Sequence, residues 1–314
     1  MRTIDIIVPC YNERDNRDAL YREVEAVRDA TGCLFQYLFI DDGSTDDTLD
    51  QMRKLAAAHE EVRYLSFSRN FGKEAAMYAG IRNSHGDMAL IMDADLQHPP
   101  ALIPEMLRRM DETGCDCCAA RRVTRKGEPR IRSLGARIFY RIMNRYSDIQ
   151  IVDGAVDFRL MSRRMVRAIA DMPERQRFSK GIFAWVGFET EWLEFENVRR
   201  FAGESKWTAF GLVKYALDGF LNFAASPLKL LGVFGCVVAA GSALYFIIEF
   251  VKTLIMGPDT PGYASIVCLI LFFGGLIVAI LSLLGEYMGR IYMETKGRPV
   301  YVEKESNIDE KQDR

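Results

Sequence analysis

The chain has 314 residues, room for one large domain or two ordinary ones, and its 27% charged and 49% hydrophobic content excludes a disordered or collagen-like polymer. Its 41 basic and 43 acidic side chains leave a net charge of −2, so no long-range positive field points to nucleic acid and any basic site must be local. Seven cysteines without paired CxxC spacing suit buried thiols in a reducing compartment; Cys115, Cys117 and Cys118 make a poor metal set, because successive residues of a short strand face opposite ways.

From Met1-Arg2-Thr3-Ile4-Asp5 the chain goes straight into a short apolar strand and a polar loop, with no apolar stretch of signal-peptide length, and the large N-terminal part is expected to be cytoplasmic. Ile4–Val8, Tyr37–Ile40, Arg63–Phe67 and Met88–Met92 read as strands. Between and after them, Asn16–Thr31, Asp46–His59, Gly72–Asn83 and Pro100–Thr113 carry apolar residues at three- and four-residue spacing and read as crossover helices. This alternation predicts an α/β domain with a largely parallel sheet, whose ligands gather at the carboxyl ends of the strands. Those ends carry Pro9-Cys10-Tyr11-Asn12-Glu13, Asp41-Asp42-Gly43-Ser44 and Asp93-Ala94-Asp95. Further on, Arg130–Tyr146 reads as an amphipathic helix and Val156–Met161 as a strand carrying Asp157 and Arg159.

The C-terminal third changes character. Thr208–Phe223 is amphipathic, either a helix at a membrane interface or one packed on the preceding domain. Leu230–Ile248 and Tyr263–Leu284 are uncharged apolar runs near the ~20 residues that cross a bilayer, joined by the breaker-rich Met256–Gly262. They predict a two-helix transmembrane hairpin, with spans at about 228–252 and 263–285. Lys206, Lys214 and Lys229 before it and Arg290, Lys296 and Arg298 after it put both termini on the cytoplasmic side. The expected division is therefore the α/β domain over 1–207, a juxtamembrane helix over 208–227, the membrane segment over 228–290 and a charged, frayed tail over 291–314.

Two carboxylates on a strand-end turn, Asp93 and Asp95, suit a hard divalent cation that also binds a substrate's phosphates. Ile6-Ile7-Val8-Pro9-x-Tyr11-Asn12-Glu13, Asp41-Asp42-Gly43-Ser44-x-Asp46, Asn70-Phe71-Gly72-Lys73 and Asp93-Ala94-Asp95-Leu96-Gln97 stand in an order and spacing that resembles the family 2 glycosyltransferases of GT-A, Rossmann-like fold. Asp157-Phe158-Arg159 and Arg200-Phe201-Ala202-Gly203-Glu204-Ser205-Lys206 resemble its polyprenyl-phosphate branch, which includes bacterial bactoprenol glucosyltransferases and dolichol-phosphate mannose synthase.

That resemblance implies transfer of a hexose, glucose as the first expectation, from a UDP-sugar to polyprenyl (undecaprenyl) phosphate at the cytoplasmic membrane. N-acetylglucosamine, mannose from GDP-mannose and a modified pentose are the alternatives. It implies a nucleoside pocket of Pro9, Tyr11, Glu13 and Asp42, with Asp93 beside the diphosphate; Asp93 and Asp95 holding Mg2+ or Mn2+, with Gln97 as a polar helper; and Arg200, Ser205 and Lys206 on the lipid phosphate. Asp157 and Asp95 are the expected catalytic residues, Asp157 either as a base or as a positioning group. Ser44 and Asp46 also read as helix-capping groups, and Lys73 as either a phosphate ligand or an exposed helix-start lysine. Phe272-Phe273-Gly274-Gly275 permits close helix packing, including a homo-oligomer.

Other classes fit less well. A processive polysaccharide synthase calls for a Gln-x-x-Arg-Trp signature, which Gln176-Arg177-Phe178 does not match. A soluble nucleotidyltransferase calls for a glycine-rich phosphate loop, and an inactive membrane scaffold should have lost some of the acidic residues.

Overall fold

Strand β1 (Thr3–Cys10) is apolar on both sides because helices cover both faces of the sheet in which it lies. The computed structural model describes residues 1–14, 17–123, 150–195 and 262–308, with the single positions 144, 251, 254 and 255. β1, β2 (Leu34–Asp41), β3 (Val62–Phe67) and β4 (Met88–Ile91) run parallel in the order β4-β1-β2-β3. Helices α1 (Arg17–Thr31), α2 (Thr48–Ala58) and α3 (Lys73–Arg82) make the crossovers; after β4 a 3-10 turn at Pro100–Leu102 opens α4 (Ile103–Thr113). The expected elements of this half are all present, with ends shifted by at most three residues.

Beyond β4 the sheet becomes mixed. β6 (Ala155–Ser162) runs antiparallel to β4, β5 (Cys117–Arg122) antiparallel to β6, and β7 (Thr190–Phe195) parallel to β5. Between β6 and β7 lie α5 (Arg163–Ala170), whose N-cap Ser162 accepts the Met165 N–H, and the short α6 (Ser179–Trp185). Alternate residues feed two apolar layers. Ile6, Val8, Phe39, Leu90 and Cys118 pack on the α1 and α4 side, while Ile7, Ile91, Cys117 and Ala119 pack with Met77, Met165 and Ile169 on the other. Cys117 and Cys118 thus face opposite layers. α3 approaches β1 closely enough that a Cβ on Gly80 would lie 2.2 Å from Ile7 Cγ2.

The chain divides into two compact units, Met1–Phe223 with Pro299–Arg314, and Ala224–Arg298. In the second, helix α7 covers Tyr263–Thr295, 33 residues or about 50 Å at ~1.5 Å per residue. Among the described residues no helix is long and apolar enough to cross a membrane. The juxtamembrane helix, and nearly all of the first expected span and of the Arg130–Tyr146 helix, lie outside the described residues.

The tail differs from the frayed end expected of it. Glu303–Ser306 forms β8, antiparallel to β3 at the sheet's outer edge. Tyr301 stacks on Phe67 with ring centroids 4.8 Å apart, and Arg53 donates from Nε to Glu305 at 2.8 Å. The tail's high charge misleads because a short charged strand is what a sheet edge tolerates in water, while the flanking Val300, Tyr301 and Ile308 cover apolar residues of α3 and β3. Tyr301→Ala should destabilise the protein by about 2–4 kcal/mol, read as a thermal midpoint lowered by several degrees; an unstructured tail would leave the midpoint unchanged.

Candidate active site

The acidic loops at the carboxyl edge of the sheet are tied to one another by hydrogen bonds between neighbours. After β1, Asn12 adopts a left-handed backbone (φ 52°), donates its N–H to Ser44 Oγ at 2.9 Å and accepts the Thr45 N–H on Oδ1 at 2.8 Å. The Glu13 N–H reaches Thr48 Oγ1 at 2.9 Å. After β2, buried Asp41 accepts from Ser66 Oγ at 2.7 Å and from the Ser44 N–H at 3.0 Å. Gly43 has φ 65°, and a Cβ there would lie 2.4 Å from the Arg69 carbonyl carbon, so only glycine lets these loops approach. Asp46 accepts the Thr48 N–H at the start of α2 at 3.0 Å, whereas the Ser44 hydroxyl joins the β1 loop rather than capping that helix, whose N-cap is Asp47.

Asp42 reaches the next loop, accepting the N–H of Phe71 at 2.6 Å and that of Gly72 at 2.9 Å. It is only 3% exposed; burial pushes its carboxyl up to about 6, the two backbone donors offsetting only part of that cost.

Gly72, at φ 99°, starts α3 and delivers Lys73 into the site. The Lys73 ammonium lies 2.6 Å from Asp93 Oδ1 and 2.7 Å from Asp157 Oδ2, joining the end of β4 to β6. Burial disfavours its charge, but the two carboxylates outweigh burial and raise its pKa. Burial alone would likewise raise Asp157; Lys73, Lys180 and Arg159 more than offset it and hold the carboxyl well below the usual carboxylate range. Asp93 is lowered too, burial being outweighed by Lys73 and His98. On the neighbouring turn, Leu96 is left-handed (φ 55°) and Asp95 accepts the Gln97 N–H at 3.1 Å. His98 is buried and stacked on Phe158, ring centroids 5.3 Å apart, which anchors the turn to β6.

Pro9, Tyr11, Glu13, Asp42, Asp93 and Asp95 line a single cavity of about 230 Å3, together with Asn70, Gly72 and Lys73. Every residue expected in the nucleoside pocket and at the metal is thus brought together, and Lys73 connects Asp157 to it. Arg200, Ser205 and Lys206 lie outside the described residues. Arg159 is buried with its guanidinium 3.7 Å above the Phe183 ring, and it donates to the Val156 carbonyl at 3.2 Å. Arg177 is buried over the Tyr78 ring at 4.2 Å, a packing role.

Two residues escape sequence reasoning. Lys180 donates to the Ala155 carbonyl at 2.9 Å and adds positive charge beside Asp157, and Glu74 accepts the Ser179 N–H at 2.8 Å, fixing the start of α6 against α3. No spacing marks either one; only the sheet order brings α6 to β6.

Among the described residues no cluster of three or more His, Cys, Asp or Glu side chains forms a closed metal site. Asp93 and Asp95 still fit a divalent cation of the kind held by one or two carboxylates and completed by substrate phosphates, since both open onto the same cavity.

A doubly wound sheet with paired carboxylates at the end of β4 and a nucleoside-sized cavity at its carboxyl edge defines a nucleotide-sugar-binding domain of GT-A type. Residues 5–170 match the family described as Glycosyl transferase family 2. A putative glycosyltransferase of Bacillus subtilis, CsbB, is 43% identical, the match covering 98% of this chain and 93% of that protein. A prophage-derived bactoprenol glucosyl transferase of Shigella flexneri is 38% identical over 97% and 98% of the two chains. A solved glucosyl-3-phosphoglycerate synthase from Mycobacterium tuberculosis, in complex with Mn2+ and UDP-glucose, is 18% identical over 69% of this chain and 76% of its own, with a TM-score of 0.46. The chain belongs to the family 2 glycosyl transferases, and it is a glycosyltransferase.

The elevated Asp42 carboxyl predicts a pH signature. A carboxyl whose folded value lies above its unfolded one favours the folded state most at low pH and loses that contribution as pH rises toward about 6, levelling off above. Measured against Asp42→Asn, wild-type stability should fall by about 1 kcal/mol between pH 5 and 7 and change no further by pH 8. A pH-independent difference would show that Asp42 is not elevated.

Proposed function

We propose that the protein transfers glucose from UDP-glucose to the phosphate of a polyprenyl carrier, undecaprenyl phosphate, at the cytoplasmic face of the membrane. The observation that carries this reading is the single cavity in which Asp93 and Asp95 stand beside Pro9, Tyr11, Glu13 and Asp42, a place for a nucleoside and its diphosphate together. The near-full-length similarity to a protein named bactoprenol glucosyl transferase supports the sugar and the lipid carrier. The uncharged stretch from Tyr263 to Leu284, inside helix α7, supports a membrane anchor.

In this reading Tyr11 offers a flat apolar face to the base, and Glu13 and Asp42 accept hydrogen bonds from base or ribose. Asp93 and Asp95 hold Mg2+ or Mn2+ against the diphosphate; when bound, the ion neutralises charge on the departing nucleoside diphosphate. An oxygen of the lipid phosphate attacks the anomeric carbon while the bond to the diphosphate breaks, giving inversion. A phosphate monoester is largely dianionic at neutral pH, so no proton has to be removed. The depressed Asp157 carboxyl supports a positioning and electrostatic role over that of a base, because an effective base titrates near the working pH. Arg200, Ser205 and Lys206 bind the lipid phosphate.

The test is transfer of radiolabelled sugar from a panel of UDP- and GDP-sugars to undecaprenyl phosphate by the purified, detergent-solubilised protein, with and without Mg2+ or Mn2+. Metal-dependent labelling from UDP-glucose is expected; labelling from UDP-N-acetylglucosamine, GDP-mannose or a pentose donor would reassign the sugar, and none from any donor would sink the lipid reading. Asp95→Ala should cut turnover about a hundredfold or more with folding intact. Lys206→Ala should raise the lipid KM by about 10- to 100-fold and leave the donor KM nearly unchanged.

A further inference from the structure

Lys73 occupies an unusual position for a lysine. It opens α3, where the helix end already carries partial positive charge that disfavours a cation, and Gly72 at φ 99° turns the chain so that the side chain points at carboxylates from two other elements. Asp93 follows β4 and Asp157 lies within β6, both largely shielded at 28% and 15% side-chain exposure; without a cation between them they would repel. The ammonium contacts both at hydrogen-bonding distance, and one of its two acceptors, Asp93 Oδ1, belongs to the pair of carboxylates that faces the cavity.

From this geometry we infer that Lys73 is a built-in counter-cation that guards the metal carboxylate, so that the divalent ion and the nucleotide-sugar bind together and neither binds well alone. The inference rests on the metal-binding role proposed for Asp93. A divalent ion and an ammonium on the same carboxylate repel at short range, which keeps metal affinity low while the cavity is empty. The diphosphate of the donor brings the negative charge that makes both cations tolerable. Lys73 then shifts from Asp93 toward the diphosphate, keeping Asp157 in reach, and the ion takes its place on Asp93. Linkage requires the coupling to be reciprocal, the metal tightening nucleotide by the factor by which nucleotide tightens metal.

The test is Mn2+ binding to the purified full-length protein, followed by the electron paramagnetic resonance of free Mn2+, without nucleotide and with saturating UDP, corrected for the Mn2+–UDP complex measured without protein. Wild type should bind Mn2+ at least tenfold more tightly with UDP than without. Lys73→Met should bind Mn2+ alone at least tenfold more tightly than wild type does, with a correspondingly smaller UDP enhancement, the phosphates still supplying ligands, whereas Lys73→Arg, which keeps the charge, should retain weak binding of Mn2+ alone. Tight, UDP-independent Mn2+ binding by wild type would overturn the guard while leaving the metal site standing, and it requires no variant that might unfold. Lys73→Met binding Mn2+ alone no better than wild type would overturn it as well. Absence of Mn2+ binding to any of the three proteins with UDP present would remove the metal site itself, and the guard with it.

Discussion

A parallel sheet delivers its loops to one edge, and in this protein that edge is crowded with carboxylates that must each be neutralised or hydrogen-bonded for the fold to exist. Asp41 is satisfied by a serine hydroxyl and a backbone N–H, Asp42 by the backbone of the next loop, and Asp93 and Asp157 by a shared ammonium. These contacts do two things at once. They close the structure, and they pre-set the field into which an anionic donor must fit. Asp42 shows the tension most clearly: the backbone donors of Phe71 and Gly72 and the charge of Arg69 offset only part of its desolvation cost, which appears as an elevated pKa.

The loop-to-loop contacts also show how the fold shapes a cavity from elements distant in sequence. Gly43 and Gly80 remove side chains where backbone or helix must come close, one letting the β2 and β3 loops touch, the other seating α3 on β1. With α3 seated, its first residue lands between the acidic ends of two other elements. The position of Lys73 is therefore a consequence of helix packing as much as of its own chemistry.

The sheet from β1 to β4 was legible in the sequence because each element carries its own period and each loop its own turn residues. The cavity was legible for the same reason: Pro9, Tyr11, Glu13, Asp42, Asp93 and Asp95 follow strands that are individually recognisable and end at a common edge. What escaped depends on pairing. Cys117–Arg122 has no β-branched residue, and it is a strand because β6 and β7 flank it. Lys180 reaches Asp157 only through the placement of α6, and Glu74 looks like an ordinary first-turn acid until Ser179 is found against it. The charged residues after Val302 resemble solvated chain because the feature that orders them is the open edge of β3, far away in sequence.

That edge sets an order on how the protein is made. Arg53 and Glu305 are 252 residues apart in the chain, and at ribosomal rates of roughly 5–20 residues per second about 13–50 s separate their synthesis. Through that interval β3 has been made and β8 has not, so the outer side of β3 stands with unpaired backbone groups until Glu303–Ser306 emerges. An unpaired strand edge is a template for joining another chain. A chain cut short after β3 but before Glu303 therefore carries a sheet with one side unsealed, prone to pairing with its neighbours.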